Sequence, residues 1–236
     1  MAHQKTLANL TTITRRHVDE TSASRWTAAQ VTSAINEAKD RVWNAVRRMR
    51  ADYFYKTMDS DDGSQTVLGE TYAASSMQVT VGGTTLTLPP DCAEVKLIQT
   101  ITADFEDVEW RHLDLAHPYF KTALAQTSNQ SPTEFFWDLL NERTIRYAPP
   151  SDTALHITLH YIFQPADLAT GDSLQMPYPL EHAVCYYAAA GLFIQDDDPR
   201  AAVMENKGNR IVEEVIGATQ RQFMEPVIVA GMFEDM

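Results

Sequence analysis

Apolar residues recur every three or four positions in two stretches near the start of the chain. In the segment 6–18 this spacing predicts a short helix. After a polar loop at 19–25, a longer helix is predicted to begin at Thr27, an N-cap residue followed three positions later by Gln30. Its apolar positions are Val31, Ile35, Ala38, Val42, Ala45 or Val46, Met49 and Tyr53. The chain is therefore expected to open with two helices.

The middle of the chain changes to a period of two, which is typical of strands. Alternation on both sides of Gly82-Gly83 predicts a β-hairpin over 77–88. The clearest strand is 155–163, where large apolar residues alternate with His156, Thr158 and His160. The other elements predicted here are a surface loop at 59–64, a strand at 94–101, a short helix at 118–126 and a hairpin at 135–147 around Asn141-Glu142.

Helical spacing returns in the last quarter of the chain. A mostly apolar segment at 180–194 predicts a well-buried helix, and Asp198 followed by Pro199 predicts the start of another. The apolar side of this last helix is predicted to consist of Val203, Ile211, Val215 and Ile216. The tail at 226–236 is too apolar for a solvated end.

This order of elements predicts the α+β class, with a helical bundle formed by N- and C-terminal helices and a central β-rich insertion. The predicted parts are an N-terminal helical part at 1–58, the β-rich insertion at 59–176, helices at 177–225 that complete the bundle, and a C-terminal arm at 226–236.

The formal net charge of −13 argues against a general nucleic-acid binder, because phosphate affinity depends on clustered Lys and Arg. The charge is uneven: residues 1–58 carry 10 basic and 5 acidic side chains, whereas residues 59–236 carry 9 and 27. A basic start and an acidic remainder can attract each other between neighbouring copies or within one chain. Both alternatives remain open at this stage.

Compartment and chemistry follow from what the sequence lacks. It has no apolar run of about 20 residues and no signal-peptide pattern at its start, so we expect a protein without a membrane span, kept in a cytoplasm-like compartment. Its two cysteines, Cys92 and Cys185, are expected to be reduced.

No catalytic constellation is recognisable, since a phosphate loop, a nucleophile elbow and a metalloprotease helix motif are all missing. His156 and His160 would lie about 13 Å apart on one strand, too far to share a zinc ion. His182 and Cys185 offer two ligands, fewer than a structural zinc site needs. We therefore predict no enzyme activity, no cofactor and no metal.

Four segments, taken in order, resemble the bacteriophage head-to-tail connector (adaptor) family. They are the helix 34–43 with the arginines and aromatics that follow it, Leu88-Pro89-Pro90-Asp91 with the strand after it, Tyr147-Ala148-Pro149-Pro150 with the strand ending at Tyr161, and Pro179-Leu180-Glu181-His182 opening an alanine-rich helix.

The resemblance implies a structural protein of the virion neck, made in the host cytoplasm. Its copies would form a ring, commonly of twelve subunits, between portal and tail or neck proteins, with DNA only as passing cargo. The resemblance also implies a C-terminal arm that reaches a neighbouring protein. The alternatives are another neck or tail-completion protein and, from a different class, a virion-associated cell-wall hydrolase.

Three groups of residues are the candidate partner contacts. The first is a basic cluster that faces either DNA, a neighbouring ring or plain solvent near a helix C-terminus. The second is a pair of aromatic triplets: because one face of an element cannot bury three consecutive residues, part of them should be exposed for subunit contact, and the alternative is burial between the helical and β parts. The third is the apolar tail, which would add a strand to another chain or pack on its own β part. The members are Arg47, Arg48 and Arg50; Tyr53, Phe54, Tyr55, Phe135, Phe136 and Trp137; and Val227, Ile228, Val229 and Phe233.

Overall fold

The computed structural model describes residues 5–20, 25–68, 70–102, 105–126 and 134–224. The chain divides into two compact units. A helical unit comprises 1–50 and 168–236, and a β-rich unit comprises 51–167. The division thus falls after Arg50 and after Asp167, whereas the sequence pattern placed it at 58 and 176.

The helices of the described residues are α1 (Leu7–His17), α2 (Ala28–Arg47), α3 (Pro118–Leu124), α4 (Leu180–Gln195) and α5 (Arg200–Met224). The strands are β1 (Tyr55–Asp59), β2 (Ser64–Val67), β3 (Glu70–Ala73), β4 (Thr85–Thr87), β5 (Cys92–Thr102), β6 (Phe105–Glu109), β7 (Arg111–His112), β8 (Phe136–Asn141), β9 (Thr144–Ala148) and β10 (His156–Phe163). Short 3-10 turns span Ala51–Phe54 and Ala74–Met77.

The start of α2 is as the sequence predicts, but its end is not. The Thr27 hydroxyl accepts from the Gln30 backbone N–H while the Gln30 side chain accepts from the Thr27 N–H, which is a complete capping box. The helix stops at Arg47 and does not continue to Tyr53. The apolar stripe loses its packing partner after Val46, which is fully buried, and a separate 3-10 turn then carries the aromatic residues.

Helix α4 is the centre of the helical unit, because α1, α2 and α5 all pack against it. α4 and α5 form an antiparallel hairpin: the Tyr187 hydroxyl donates to Asn209 at 2.7 Å, and Gly208 lies against the Tyr187 ring. Two positions predicted to be buried are not, since Ile194 is 60% and Val203 52% exposed. Val203 lies across the helix from the residues of α5 that do face α4, which are Gly208, Val212 and Val215.

The β-rich unit contains two four-stranded sheets with one shared core. Their strand orders are β1-β10-β5-β6 and β4-β9-β8-β7, and β2-β3 form a separate hairpin. Buried residues from both sheets meet in a single apolar cluster, including Ile157, Leu159 and Tyr161 from the first sheet and Ile145 and Tyr147 from the second. The strand predicted at 155–163 is present, but its burial alternates only in part, because Thr158 and Ile162 are buried as well. The predicted antiparallel hairpin of β8 and β9 is confirmed.

The hairpin predicted around Gly82-Gly83 is wrong. A tight turn is present, with the Gly83 N–H donating to the Thr80 carbonyl at 2.9 Å and Gly82 at φ 69°. The segments on its two sides nevertheless pair elsewhere: Val79 bridges to Leu155, and β4 pairs with β9. The local pattern identified the turn, but the partners of the flanking segments lie far away in sequence.

Candidate assembly surfaces

The three arginines at the end of α2 do not share one environment. Arg47 is the last helical residue, and its guanidinium lies 4.2 Å from the centre of the Trp43 ring. Arg48 is the exposed C-cap residue, and Arg50 is half-buried. Positive charge at a helix C-terminus is favoured by the helix dipole, and Arg47 also covers an aromatic face. Of the three arginines, Arg47 thus has a described contact within its own subunit, and the cluster as a partner contact stays a prediction.

The first aromatic triplet is divided between core and surface. Phe54 is fully buried and packs edge-on against Phe163, with ring centroids 6.0 Å apart. Tyr53 is half-buried, whereas Tyr55 is 47% exposed and stacks on His160 at 5.7 Å. Of the three, Tyr55 has the largest exposed area for a partner.

The second triplet is entirely buried, so the expectation that part of it is exposed is wrong. Phe135 and Trp137 face the core shared by the two sheets, where Phe135 stacks on Trp110 at 4.8 Å. Phe136 points to the other side of β8, into a smaller cluster that includes Phe120 of α3. The first part of β8 is covered on both faces, and this is why three consecutive aromatics can all be buried.

The tail residues Val227, Ile228, Val229 and Phe233 lie outside the described residues. The structure instead exposes apolar side chains that the sequence patterns had assigned to helix interiors. In the helical unit these are Met49 (57%), Ile194 (60%) and Val203 (52%), together with Tyr178 (71%) just before α4. Because Gly208 faces α4, counting helical positions back from it would have placed Val203 on the exposed side of α5. Nothing in the local pattern indicates that Ile194 is exposed.

Three of these exposed residues, Met49, Ile194 and Val203, occupy two places far apart. Arg25, just before α2, forms an ion pair with Asp196 at 2.6 Å, so the beginning of α2 lies at the α4–α5 turn. Ile194 and Val203 flank this turn. Met49 follows the other end of α2, which is about 30 Å long at 1.5 Å per residue. One subunit thus offers two different apolar sites.

Charges in the helical unit are paired between its helices. Arg41 of α2 is bonded to Glu205 of α5 and lies over the Tyr187 ring at 4.2 Å. Arg200 pairs with Asp19 at 2.9 Å. The helical unit holds 13 basic and 15 acidic residues, a difference of −2, whereas the β-rich unit holds 6 and 17, a difference of −11. The helical unit as a whole is therefore close to neutral, and several basic residues from the start of the chain pair within it.

The Leu88-Pro89-Pro90-Asp91 segment carries a buried anchor for the first sheet. Asp91 accepts from the Tyr161 hydroxyl at 3.0 Å and from the Lys56 ammonium at 3.1 Å. Burial raises the pKa of Tyr161, and the neighbouring carboxylate raises it further, so the hydroxyl remains a donor. These three residues connect β1, β10 and the turn before β5.

Among the described residues, one group of carboxylates has metal-like spacing: the ligand atoms of Asp59, Asp61 and Asp62 all lie within 4.8 Å of one another. Two of them have other uses, because Asp59 accepts from the Thr158 hydroxyl at 2.5 Å and Asp62 accepts from the Asp59 N–H at 3.0 Å. These bonds close the β1–β2 turn.

The cysteines are free thiols in places that suppress their reactivity. Cys185 is buried, and burial raises its pKa to about 11. Cys92 is half-buried, and burial together with Asp91 raises its pKa to about 12. A thiol with such a pKa is almost wholly protonated at neutral pH and reacts slowly.

The SU10 adaptor protein family model matches residues 5–230 of the chain. The chain belongs to the SU10 adaptor protein family. This is a family of phage structural adaptors and not of enzymes, so the protein is a virion component that associates with other phage head or tail proteins. Comparison with curated proteins finds no match.

Membership of this family confirms the resemblance inferred from the order of segments. The match covers both the helical and the β-rich unit, so the β-rich part belongs to the family pattern. In the described part of the chain, no helix combines the length and the apolarity that are needed to cross a bilayer.

Proposed function

We propose that this adaptor forms a homo-oligomeric ring in the phage neck that links portal to tail and leaves an axial passage for DNA. The observation that carries the proposal is the presence of two separate apolar sites on the helical unit, Met49 at one end of α2 and Ile194 with Val203 at the other. Subunits in a ring meet head to tail, so each must present two different surfaces. One site would meet the preceding subunit and the other the following subunit.

The surface chemistry of these two sites fits contact between neighbouring subunits. Exposed apolar side chains are enriched at interfaces, and the surrounding charges of the helical unit are already paired internally. Contact between the two sites would bury apolar area without leaving an unpaired charge in the interface.

The test is a pair of charged variants, Met49→Glu and Ile194→Glu, analysed by native mass spectrometry alone and with portal protein. Each variant should stop the ring, whereas an equimolar mixture should form heterodimers through the one intact pair of surfaces. Asn9→Glu, on an exposed position of α1 that belongs to neither apolar site, is the matched control and should assemble normally. Rings that form in either single variant would refute the head-to-tail arrangement.

The acidic β-rich unit supports the proposed passage for DNA. With 6 basic and 17 acidic residues it repels phosphate, which allows DNA to pass without being held. Electron micrographs of portal mixed with the adaptor should show a ring at the portal exit. A ring elsewhere on the particle, or retention of duplex DNA by the isolated ring at physiological salt, would contradict this function.

A further inference from the structure

Two histidines of the helical unit lie beside lysines where α1, α4 and α5 meet. His17 is the last residue of α1, His182 lies in the first turn of α4, and both are half-buried. Lys5 precedes α1, and Lys207 belongs to α5. We call His17, His182, Lys5 and Lys207 the histidine–lysine cluster.

The contact between Lys5 and His182 suits a neutral imidazole and not a charged one. An ammonium has three donors and no acceptor, so Lys5 Nζ donates to His182 Nε2 at 3.0 Å. The lone pair that an added proton would take is therefore already used. Protonation of His182 would replace this hydrogen bond by repulsion between two cations.

His17 is in a comparable position at the other end of α1. Its ring stacks on Tyr186 of α4 with ring centroids 4.4 Å apart, and the Lys207 ammonium lies 5.6 Å from the centre of the same tyrosine ring. The buried Nε2 of His17 has no hydrogen-bond partner among the described residues. A charged imidazole here would have a cation nearby and no acceptor for its buried nitrogen, which is costly away from water.

The carboxylate near the histidine–lysine cluster does not offset its positive charge. Glu181 is 2% exposed, accepts from the Lys5 backbone N–H at 2.9 Å and pairs with the Lys5 ammonium at 3.4 Å. Its charge favours protonation of His182, but Lys5 opposes it. Protonation of His17 is opposed by Lys207 and also by His182. One carboxylate thus faces two lysines and two histidines.

These surroundings give the stability of the contact a definite pH dependence. Burial holds the pKa of both histidines below the ordinary value of 6.5, and the neighbouring lysines lower each pKa further. A histidine whose pKa is lower in the folded state binds a proton more tightly once the contact has opened. The contact is therefore fully stable above about pH 6.5 and weakens as the pH falls below that value.

We propose that α1 is attached to α4 and α5 by an acid-sensitive contact, and that protonation of His17 and His182 loosens α1 in mildly acidic solution. The cluster holds α1 at both ends, through Lys5 at its start and His17 at its end. A helix of 11 residues is marginal in water by itself, so α1 depends on this packing. The contact is separate from the apolar sites at Met49 and Ile194.

The experiment is hydrogen–deuterium exchange of the full chain, followed by mass spectrometry and corrected for the intrinsic exchange rate at each pH. Between about pH 7.5 and pH 5.5, protection of the α1 amides should fall about tenfold. This is the effect of one histidine that must stay neutral a full pH unit below its ordinary value of 6.5. Peptides from β8 and β9 in the β-rich unit should keep their protection.

Variants of the histidines test whether their titration is the cause. Glutamine at position 182 can still accept from Lys5 but cannot be protonated, so His182→Gln should remove much of the acid response. The double variant His17→Gln/His182→Gln should lose less than about twofold in α1 protection over the same pH range. His156→Gln, at an exposed histidine of β10, is the matched control and should keep the full response.

Variants of the lysines test the electrostatic part with both histidines in place. Lys5→Gln keeps a donor for His182 but removes the charge, and Lys207→Met removes the charge beside Tyr186, so each should make the acid response smaller. An acid response that persists in the double histidine variant, that is undiminished in both lysine variants, or that is equal in the two units would overturn the proposal. If the glutamine variants do not fold, the lysine variants decide. Ring assembly is measured separately, so the result is independent of the proposed function.

Discussion

The two units of the adaptor reach compactness by different means. In the helical unit, one nearly all-buried helix, α4, is surrounded by amphipathic helices whose charges pair across the surface, as Arg41 does with Glu205. In the β-rich unit, two sheets and α3 enclose aromatic residues such as Phe135 and Trp110, while the surface keeps a large excess of acid. The helical unit has exposed apolar residues and nearly balanced charge, whereas the β-rich unit has a net charge of −11.

This difference shows why a single charge count for the chain was misleading. The basic start left two alternatives open, attraction between neighbouring copies and pairing within one chain, and the structure pairs several of its basic residues with acidic residues of the same unit, for example Arg25 with Asp196. The net −11 of the β-rich unit has no such compensation. The electrostatic attraction of a surface depends on the charges that the fold brings together there, and not on the charge of a stretch of sequence.

The largest effect on stability is expected from Phe135→Ala in the aromatic core of the β-rich unit. Removing a fully buried ring that stacks on Trp110 should lower the free energy of unfolding by about 3–5 kcal/mol. Urea unfolding followed by tryptophan fluorescence measures it. Tyr55→Ala, at a half-exposed aromatic of the other triplet, is the control and should cost much less. Equal losses would show that the two triplets are not buried differently.

A smaller effect is expected in the helical unit from Gly208→Ala. The added Cβ would lie 3.0 Å from the Tyr187 ring, which Arg41 and Asn209 hold in place, so the helix hairpin should lose about 1–3 kcal/mol. Gly191→Ala in α4 meets no atom within 4 Å and should instead stabilise by up to about 1 kcal/mol. Thermal unfolding of both variants measures the change in stability, which should be a loss for Gly208→Ala and a gain for Gly191→Ala. A change in the same direction for both would contradict the described packing of α4 on α5.

Arg41→Ala should sharpen the contrast in charge between the units. It removes the contact with Glu205 and the cation–π contact with Tyr187, both partly exposed, at a cost of about 1 kcal/mol. Arg143→Ala in the β-rich unit loses an exposed pair with Glu70 and should cost less. A double-mutant cycle with Glu205→Ala, repeated at high salt, measures the coupling, and a coupling that does not weaken in salt would argue against the ion pair.

The smallest predicted effect concerns pH and Asp138. Burial by itself would raise the pKa of this carboxyl, but the N–H groups of Leu115 and Leu139 and the ring of His112 outweigh it and hold the pKa below its usual value of 3.8. A folded pKa below the unfolded one stabilises the protein above about pH 3.8, and this stability is lost as the pH falls through the folded value.

Asp138→Asn should therefore reduce the slope with which the free energy of unfolding falls between about pH 5 and pH 2. The reduction should correspond to roughly the proton uptake of one carboxyl. Circular dichroism during acid titration measures the slope. Asp114→Asn, at a nearby carboxyl that caps only its own turn, is the control. An unchanged slope in Asp138→Asn would remove this carboxyl from the acid transition.

Local patterns were sufficient for several elements of the fold and for the family. The capping box at Thr27, the strand around Leu159 and the β8–β9 hairpin are each encoded by neighbouring residues, and each appears in the structure as predicted. The exposure of the candidate contact residues could not be predicted in this way, because it depends on which distant segments pack over each side chain. Phe136 is buried only because α3 covers the second face of its sheet.

By itself, the sequence determined the start of α2, the strand around Leu159 and the β8–β9 hairpin, that the chain has no recognisable catalytic motif, and, through the order of its segments, the adaptor family. These properties follow from residues that are close together along the chain. Only the tertiary structure decided that Val79 pairs with Leu155, that the arginines before and within α2 meet acidic residues of α4 and α5, and that Met49 and Ile194 are left exposed. The reason is physical: pairing partners and solvent exposure are set by contacts between distant segments, which no local period records.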